Sequence, residues 1–424
     1  MEKDNITENA AENAPENTTE NTAENTIDST NDNKKEKKKM NKPLKITLIV
    51  LAVLLSLAIV LLGSAYAVFK HYYSMLDYEE LFSSDEWETL PPEELERDEG
   101  EDLDSVDPSQ IATPDEMKGY LEQIEQVEKP SSDFQIQYDK IGGSLGEIER
   151  NYTADYISAK DNVTNILLIG IDSRRNVTAG LSDVMMVVSI CPDTKSIVLT
   201  SFLRDIYVAI PGHSPNRLNV AYALGGPSLL VETIEKNFGL RIDRYAMVNF
   251  YTFVDAVDSI GGVSIYLTDA ELSVINSHIY YTNKIVNNVY DRTNEIENKG
   301  AGYYELNGVQ ALGYARIRKI GSDFARTNRQ RNIVGAVINK AKGLSPSEWN
   351  SLLNKILPCI KTNLTESDLL SMLINAASYI KYDLKSISTP PPDNFKYMRI
   401  DGRSVIGVDL TQVRAHLKNN IYPE

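Results

Sequence analysis

Only two cysteines and four histidines occur in the 424 residues. They form no C-x-x-C, no H-E-x-x-H and no paired-cysteine spacing, so a zinc centre has too few ligands. Glycine-rich loops of the G-x-G-x-x-G or G-x-x-x-x-G-K-[ST] kind are missing as well, which removes the familiar dinucleotide and P-loop sites. Cys191 and Cys359 lie far apart, and two idle thiols are a simpler reading than a disulfide. Apolar residues are nearly missing from 1–33, where Glu-Asn recurs every fourth position from Glu8 to Glu24. Such a stretch has nothing to bury and is expected to be disordered.

Charge is missing from Ile46–Phe69, an uncharged run of 24 residues. As a helix it would span roughly 36 Å, enough for a hydrocarbon core of about 30 Å. It is too long, and starts too far from the N-terminus, for a cleaved signal peptide. Seven lysines between Lys34 and Lys45 precede it and an acidic run follows. That asymmetry predicts an anchor with a cytoplasmic N-terminus and everything after Lys70 outside the cell. Residues 77–107 hold fifteen acids against one arginine, so most of the chain's net charge of −17 belongs to this stretch. The expected organisation is a lysine-rich tail (1–45), a single-pass transmembrane helix in the cell membrane (46–69), an acidic extracytoplasmic stalk (70–160) and a folded domain with its C-terminal extension (161–424).

Within the folded part, short apolar runs alternate with helical patterns. "NILLIGID", "VMMVVSI" and "SIVLTSF" read as strands, with turn chemistry in the intervening "CPDTK". "LNVAYALGGPSLLVETIEKNFG" reads as helices broken at Gly225–Pro227, and "FYTFVDAVDSI" as a helix stopped by Gly261–Gly262. "VSIYL" is a strand, 276–300 a loop insertion, "ELNGVQAL" a short helix, "GYARIRK" a strand and "DFARTNRQRNIVGAVINKAKG" a long helix. The alternation argues for α/β layers.

Against this near-neutral domain, residues 314–332 stand out, with five arginines and one lysine around the single acid Asp323. On a helix turning about 100° per residue, Asp323, Arg326 and Gln330 share the face of Val334 and Val337, while Arg329 and Arg331 flank it. A strand through "GYARIRK" would aim Arg316 and Arg318 the same way. If "CPDTK" closes a hairpin centred between Asp193 and Thr194, paired positions sum to 387, and Asp183 faces Arg204. Asp172 joins that edge if its strand is a parallel neighbour of "SIVLTSF".

Inward-facing arginines need anions, since burying them unpaired costs several kcal/mol each. One aspartate cannot satisfy three, and phosphate oxygens fit guanidinium forks. Asp172 and Asp183 would be able to hold Mg²⁺ against the same phosphates. Together these groups form an apparatus for phosphoryl transfer. Nucleic acid is excluded as partner by the expected location.

These residues also carry a family resemblance. "NILLIGIDSR", "SDVMMVVSI", "SFLRDIYVAIPG", "RLNVAYALGG", "IDRYAMVNFYTFVDAVDSIGGV" and "ELNGVQALGYARIRKIGSDFARTNRQRNI" resemble, in order, the LytR-CpsA-Psr (LCP) family. The resemblance implies a three-layer α/β/α sandwich with a central mixed sheet and an apolar pocket for a lipid tail. It implies a Mg²⁺-assisted enzyme that moves a glycopolymer (teichoic acid, capsule or another secondary polymer) from a polyprenyl-pyrophosphate carrier to peptidoglycan through a phosphodiester. The family's metal-binding acids match Asp172 and Asp183. Its pyrophosphate-binding arginine matches Arg204, and its late set matches Arg316, Arg318, Asp323, Arg326 and Gln330. Where members often carry arginine this chain has Leu181, for which Arg174 or Arg175 would compensate; Arg217 matches a commonly basic position. Arg204, Asp205, Asp323 and Arg326 are the candidate catalytic residues, with Asp205 and Asp323 each eligible as base or orienter. A pyrophosphatase and a polyprenyl-phosphate-binding regulator or attenuator remain as alternatives.

Overall fold

The structure, a computed structural model, describes residues 60, 62–78, 102–128, 154–158, 162–171, 180–289, 292–318 and 320–423. The expected disordered tail and parts of the expected span and stalk lie outside the described residues. Residues 60 and 62–69 of the span are described and helical. No helix among the described residues is long and apolar enough to cross a membrane. The chain divides into Met1–Gly63 and Ser64–Glu424, and the second unit holds every feature that follows.

Its strands are β1 (Asp77–Tyr78), β2 (Thr164–Ile171), β3 (Ser182–Cys191), β4 (Ser196–Phe202), β5 (Tyr207–Val208), β6 (Asn216–Arg217) and β7 (Arg244–Asn249). Further on come β8 (Val263–Leu267), β9 (Gly302–Leu306), β10 (Lys361–Thr362), β11 (Asp383–Thr389), β12 (Lys396–Ile400) and β13 (Arg403–Gly407). The helices are α1 (Pro114–Glu128), α2 (Leu218–Phe238), α3 (Phe250–Ser259), α4 (Asp269–Asn287) and α5 (Gly308–Ala315). They continue with α6 (Asp323–Ala341), α7 (Pro346–Ile356), α8 (Glu366–Tyr379) and α9 (Leu410–Ile421).

A seven-stranded mixed sheet runs in the order β1-β10-β7-β2-β3-β4-β11. β3 is antiparallel to both of its neighbours, whereas β2 pairs with β7, and β4 with β11, in parallel. The expected β2–β4 neighbourhood is therefore wrong: β3 lies between them. Because both run opposite to β3, β2 and β4 still finish at the same edge. Burial along β3 and β4 is almost continuous rather than alternating, so both faces of the sheet's centre are covered. One hydrophobic cluster joins this sheet to α2 and α9, and a second joins α3 to α7 with the β8–β9 ribbon.

The break in α2 falls at Gly225 and Gly226, the latter at φ 62°, ψ −156°, a conformation open essentially to glycine. The helix ends on Gly239 at φ 65°, where a Cβ would meet the Asp155 carbonyl at 2.5 Å. Three expectations change. "GYARIRK" is not a strand: the strand is β9, and α5 opens on an Asn307–Gln310 capping box and runs to Ala315. Residues 276–287 are not loop but the body of α4, launched by the Thr268–Glu271 capping box. Residues 102–128, placed in the expected stalk, join the folded body. Leu103 is buried in the first cluster, and the Gln123 side chain accepts from the Leu410 amide at 2.8 Å.

Candidate active site

The β3–β4 hairpin pairs Cys191 with Ser196 and Met185 with Phe202, so partners sum to 387 as the turn chemistry predicts. Two residues beyond the last pair, Arg204 Nη1 lies 3.3 Å from Asp183 Oδ1. The backbone of Arg204 is fixed by the start of α2. Its carbonyl accepts from the Asn219 amide at 3.1 Å, and the Ile206 carbonyl from Leu218 at 2.8 Å. The Asp205 carbonyl in turn accepts from Ile406 at 2.8 Å. Helix α2 and strand β13 thus clamp this "LRD" segment at the sheet edge.

Asp183 is where the distant segments meet. Arg318 Nη2 lies 3.4 Å from its Oδ2, and Arg326 Nη2 lies 3.9 Å from its Oδ1 while donating to its carbonyl at 3.3 Å. Arg204 also donates through Nε to Asp205 Oδ2 at 3.2 Å, and Arg217 Nη1 lies 3.6 Å from Asp205 Oδ1. Arg326 Nη1 is 3.7 Å from Asp323 Oδ1, and Asp323 shares a hydrogen bond with Asp205. Arg204, Asp205, Arg217 and Arg326 are buried, whereas Arg318 is 42% exposed. Gln330 is buried one helical turn beyond Arg326 on α6. Arg316, the C-cap of α5, stacks its guanidinium 4.7 Å from the centre of the Phe250 ring and adds to the field at Asp183. It caps a helix rather than pointing from a strand face.

The acids divide by environment. Burial raises the Asp183 carboxyl, but Arg326, Arg204, Arg318 and Arg316 outweigh it and hold the group below the usual range. Burial pushes Asp205 up to about 7, with Asp323 adding to the rise and Arg204 and Arg217 opposing it. Burial also works against ionised Asp323, yet Arg326 and the hydrogen bond with Asp205 leave it lowered. The Asp205–Asp323 pair therefore carries a single proton up to near neutrality. Among the described residues, five guanidiniums, those of Arg204, Arg217, Arg316, Arg318 and Arg326, then face about two negative charges, from Asp183 and that pair. Arg326 Nε and Nη1 are buried without a hydrogen-bond partner. An added anion with several oxygens balances both the charge and the donors.

Asp172 and Arg174 lie outside the described residues, as does Arg175. Leu181 packs, half-buried, against the first hydrophobic cluster. No group of three His, Cys, Asp or Glu gathers among the described residues. A Mg²⁺ ion would rely on Asp183, ionised and held only by contacts of 3.3–3.9 Å, with Asp172 and phosphate oxygens completing it. Both cysteines are free, Cys191 buried and Cys359 exposed.

Arg329, expected to flank the buried face of α6, is itself buried. Its Nε donates to Glu271 Oε1 at 2.8 Å, and Nη1 and Nη2 donate to the carbonyls of Ile317 and Ile320 at 3.1 Å each. It ties down the segment that carries Arg318. The nearness of Arg329 to Ile333 on the helix surface was the available signal; the partner Glu271, 58 residues away, had none.

Comparison with known proteins agrees with this arrangement. The model of the LytR_cpsA_psr family matches residues 123–420. The "Polyisoprenyl-teichoic acid--peptidoglycan teichoic acid transferase TagU" of Oceanobacillus iheyensis is 32% identical over 238 residues, covering 54% of this chain and 68% of that protein. The protein of the same name from Enterococcus faecalis is 29% identical over 266 residues, covering 61% and 79%. A solved structure of TagT bound to LIIa-WTA is 25% identical, covers 66% of this chain and 97% of that one, and superposes with a TM-score of 0.50.

Proposed function

This chain belongs to the LytR_cpsA_psr family, and on that footing we propose that it is a membrane-anchored phosphotransferase. It moves a glycopolymer of teichoic-acid or related type from a polyprenyl-pyrophosphate carrier to a peptidoglycan hydroxyl. The names of its relatives support the reaction class. The two-sided burial of β3 and β4 supports the three-layer α/β/α arrangement. The uncharged run at 46–69 behind its lysines supports a single-pass anchor with the domain outside the cell.

The observation that carries the proposal is the convergence of Arg204, Arg318 and Arg326 on Asp183, with Arg217 behind and, among the described residues, more positive than negative charge in the cluster. The pyrophosphate binds through these guanidiniums, which also stabilise the charge that spreads over the transferring phosphoryl oxygens. The acceptor oxygen forms a bond to the phosphorus bearing the glycan. The anhydride P–O bond breaks, and polyprenyl phosphate leaves with the bonding pair. The hydroxyl proton passes to the ionised member of the Asp205–Asp323 pair. Asp323 is the accessible member, its side chain 12% exposed against 3% for Asp205. Asp205, between Arg204 and Arg217, orients both. Mg²⁺ at Asp183 and Asp172 would neutralise phosphate charge when bound.

The test is to incubate the full chain in membranes with a lipid-pyrophosphate-linked polymer, Mg²⁺ and peptidoglycan fragments. Polymer joined covalently to the fragment is the expected product. Free phosphorylated glycan alone would make the protein a pyrophosphatase, and retained lipid without turnover would make it a binder.

A further inference from the structure

Helix α8 exposes a continuous apolar stripe. Counting about 100° per residue from Leu373, Ile380 lies near −20°, Ala377 near +40° and Ile374 near +100°. Leu373 is 61% exposed, Ile374 72% and Ile380 53%, and Ala377 is exposed as well. Scattered exposed apolar side chains are ordinary, but Leu373 and Ile374 of this 14-residue helix, together with its C-cap Ile380, form a patch that calls for an occupant.

The first turn of the same helix says what lies alongside. Glu366 falls near +20° on the same wheel, so it heads the stripe. Its Oε1 accepts from the Tyr66 hydroxyl at 2.7 Å and its Oε2 from Lys70 Nζ at 2.5 Å. Tyr72 donates in turn to Asn350 of α7, next to the partly exposed Trp349. Lys70 is the first charged residue after the uncharged run 46–69, and Tyr66 lies within that run. The stripe thus begins where the chain would emerge from a bilayer, and Lys381 stands exposed at its far end. An apolar side with flanking lysines and neighbouring Trp and Tyr is the make-up of a helix lying at a membrane interface.

The geometry points to α8 resting its Leu373–Ile374–Ile380 side in the headgroup–acyl boundary of the bilayer. This rests on the anchor reading in the proposed function and goes beyond it, since a tether alone leaves the domain free to swing. Docking along α8 fixes its orientation. The acidic run at 77–107 opposes attraction to anionic lipid, so apolar burial carries the contact and neutral lipid suffices.

The test uses the full chain with Cys359→Ser in phosphatidylcholine vesicles, bearing an environment-sensitive fluorophore at Ile374→Cys or, as reference, at Tyr303→Cys on β9. Cys191 is buried and does not compete for label. Lipids with a nitroxide high on the acyl chain should quench the label at 374 several-fold more than at 303, with little change at high salt. Equal quenching at the two positions, in chain that resists an alkaline carbonate wash, overturns the inference and leaves the anchor standing. Protection of 374 from both lipid-borne and aqueous quenchers also overturns it and assigns the stripe to a protein partner. Chain that washes off overturns the anchor reading and this inference together.

Discussion

Arg204 reaches across the β3–β4 hairpin to Asp183, Nη1 to Oδ1 at 3.3 Å, and holds Asp205 through Nε at 3.2 Å. Removing it strands two acids beneath the surface. Arg204→Ala is expected to abolish transfer and to cost roughly 3–5 kcal/mol of stability, as for other broken buried pairs. Arg204→Lys should fold better yet turn over at least about a hundredfold more slowly, because an ammonium cannot span both carboxylates. Denaturant titration alongside the transfer assay checks both.

Arg318 separates chemistry from folding. Its side chain is 42% exposed and its pairing to Asp183 is 3.4 Å, so Arg318→Ala should change stability by no more than about 1 kcal/mol. Turnover should nevertheless fall by roughly two to three orders of magnitude. Wild-type turnover in a well-folded Arg318→Ala protein would remove this residue from the site.

The acid pair makes stability depend on pH. Asp205 has a folded pKa raised to about 7, so its contribution is full below the unfolded value of about 3.9 and is lost as pH rises through about 7. Asp323, lowered, contributes in the opposite sense: present above the unfolded value and lost as pH falls through its depressed one. Between pH 5 and 8 the Asp205 effect governs. Asp205→Asn, whose amide still donates to Asp323, should lose less stability than wild type over that range. The limiting difference is about 1.4 kcal/mol per pH unit per proton. Parallel curves in urea at pH 5 and 8 would rule out the shared proton.

Arg329 is a positioning residue, since its three bonds run to Glu271 and to the carbonyls on either side of Arg318. Glu271→Gln keeps the shape and loses the charge. It should raise KM for the pyrophosphate substrate more than it lowers kcat, through a slack Arg318. Arg329→Met should cost about 3–5 kcal/mol in addition. A fall in kcat alone would argue for a direct role.

Chelation should stop transfer and added Mg²⁺ restore it. Asp183→Asn should not be restored by any Mg²⁺ concentration, having lost both the proposed metal ligand and the hub for three guanidiniums.

Much of this site was legible because hairpin registers and helix wheels are local rules. The sum of 387 follows from one turn, and the shared side of Asp323, Arg326 and Gln330 from one helix period. What failed was non-local or ambiguous in period. "YARIR" alternates like a strand, yet the capping box at Asn307 had already started a helix that carries it to Ala315. The Asn- and Tyr-rich stretch at 276–287 looked like loop, but Ile275 and Ile279 keep a helical stripe buried. Strand order and the Arg329–Glu271 pairing depend on contacts that no short window contains.

The turn at Pro192–Lys195 looks disposable, being at the surface and distant from the arginines. Asp183 is eight residues up the strand from Cys191, about 26 Å at a strand's usual rise. Inserting or deleting a single amino acid there would slide every rung of the ladder by one, pairing Asp183 with a neighbour of Arg204 that points the other way. Natural variants should therefore tolerate almost any sequence in this turn and almost no change in its length: a ruler kept at one end of the molecule for use at the other.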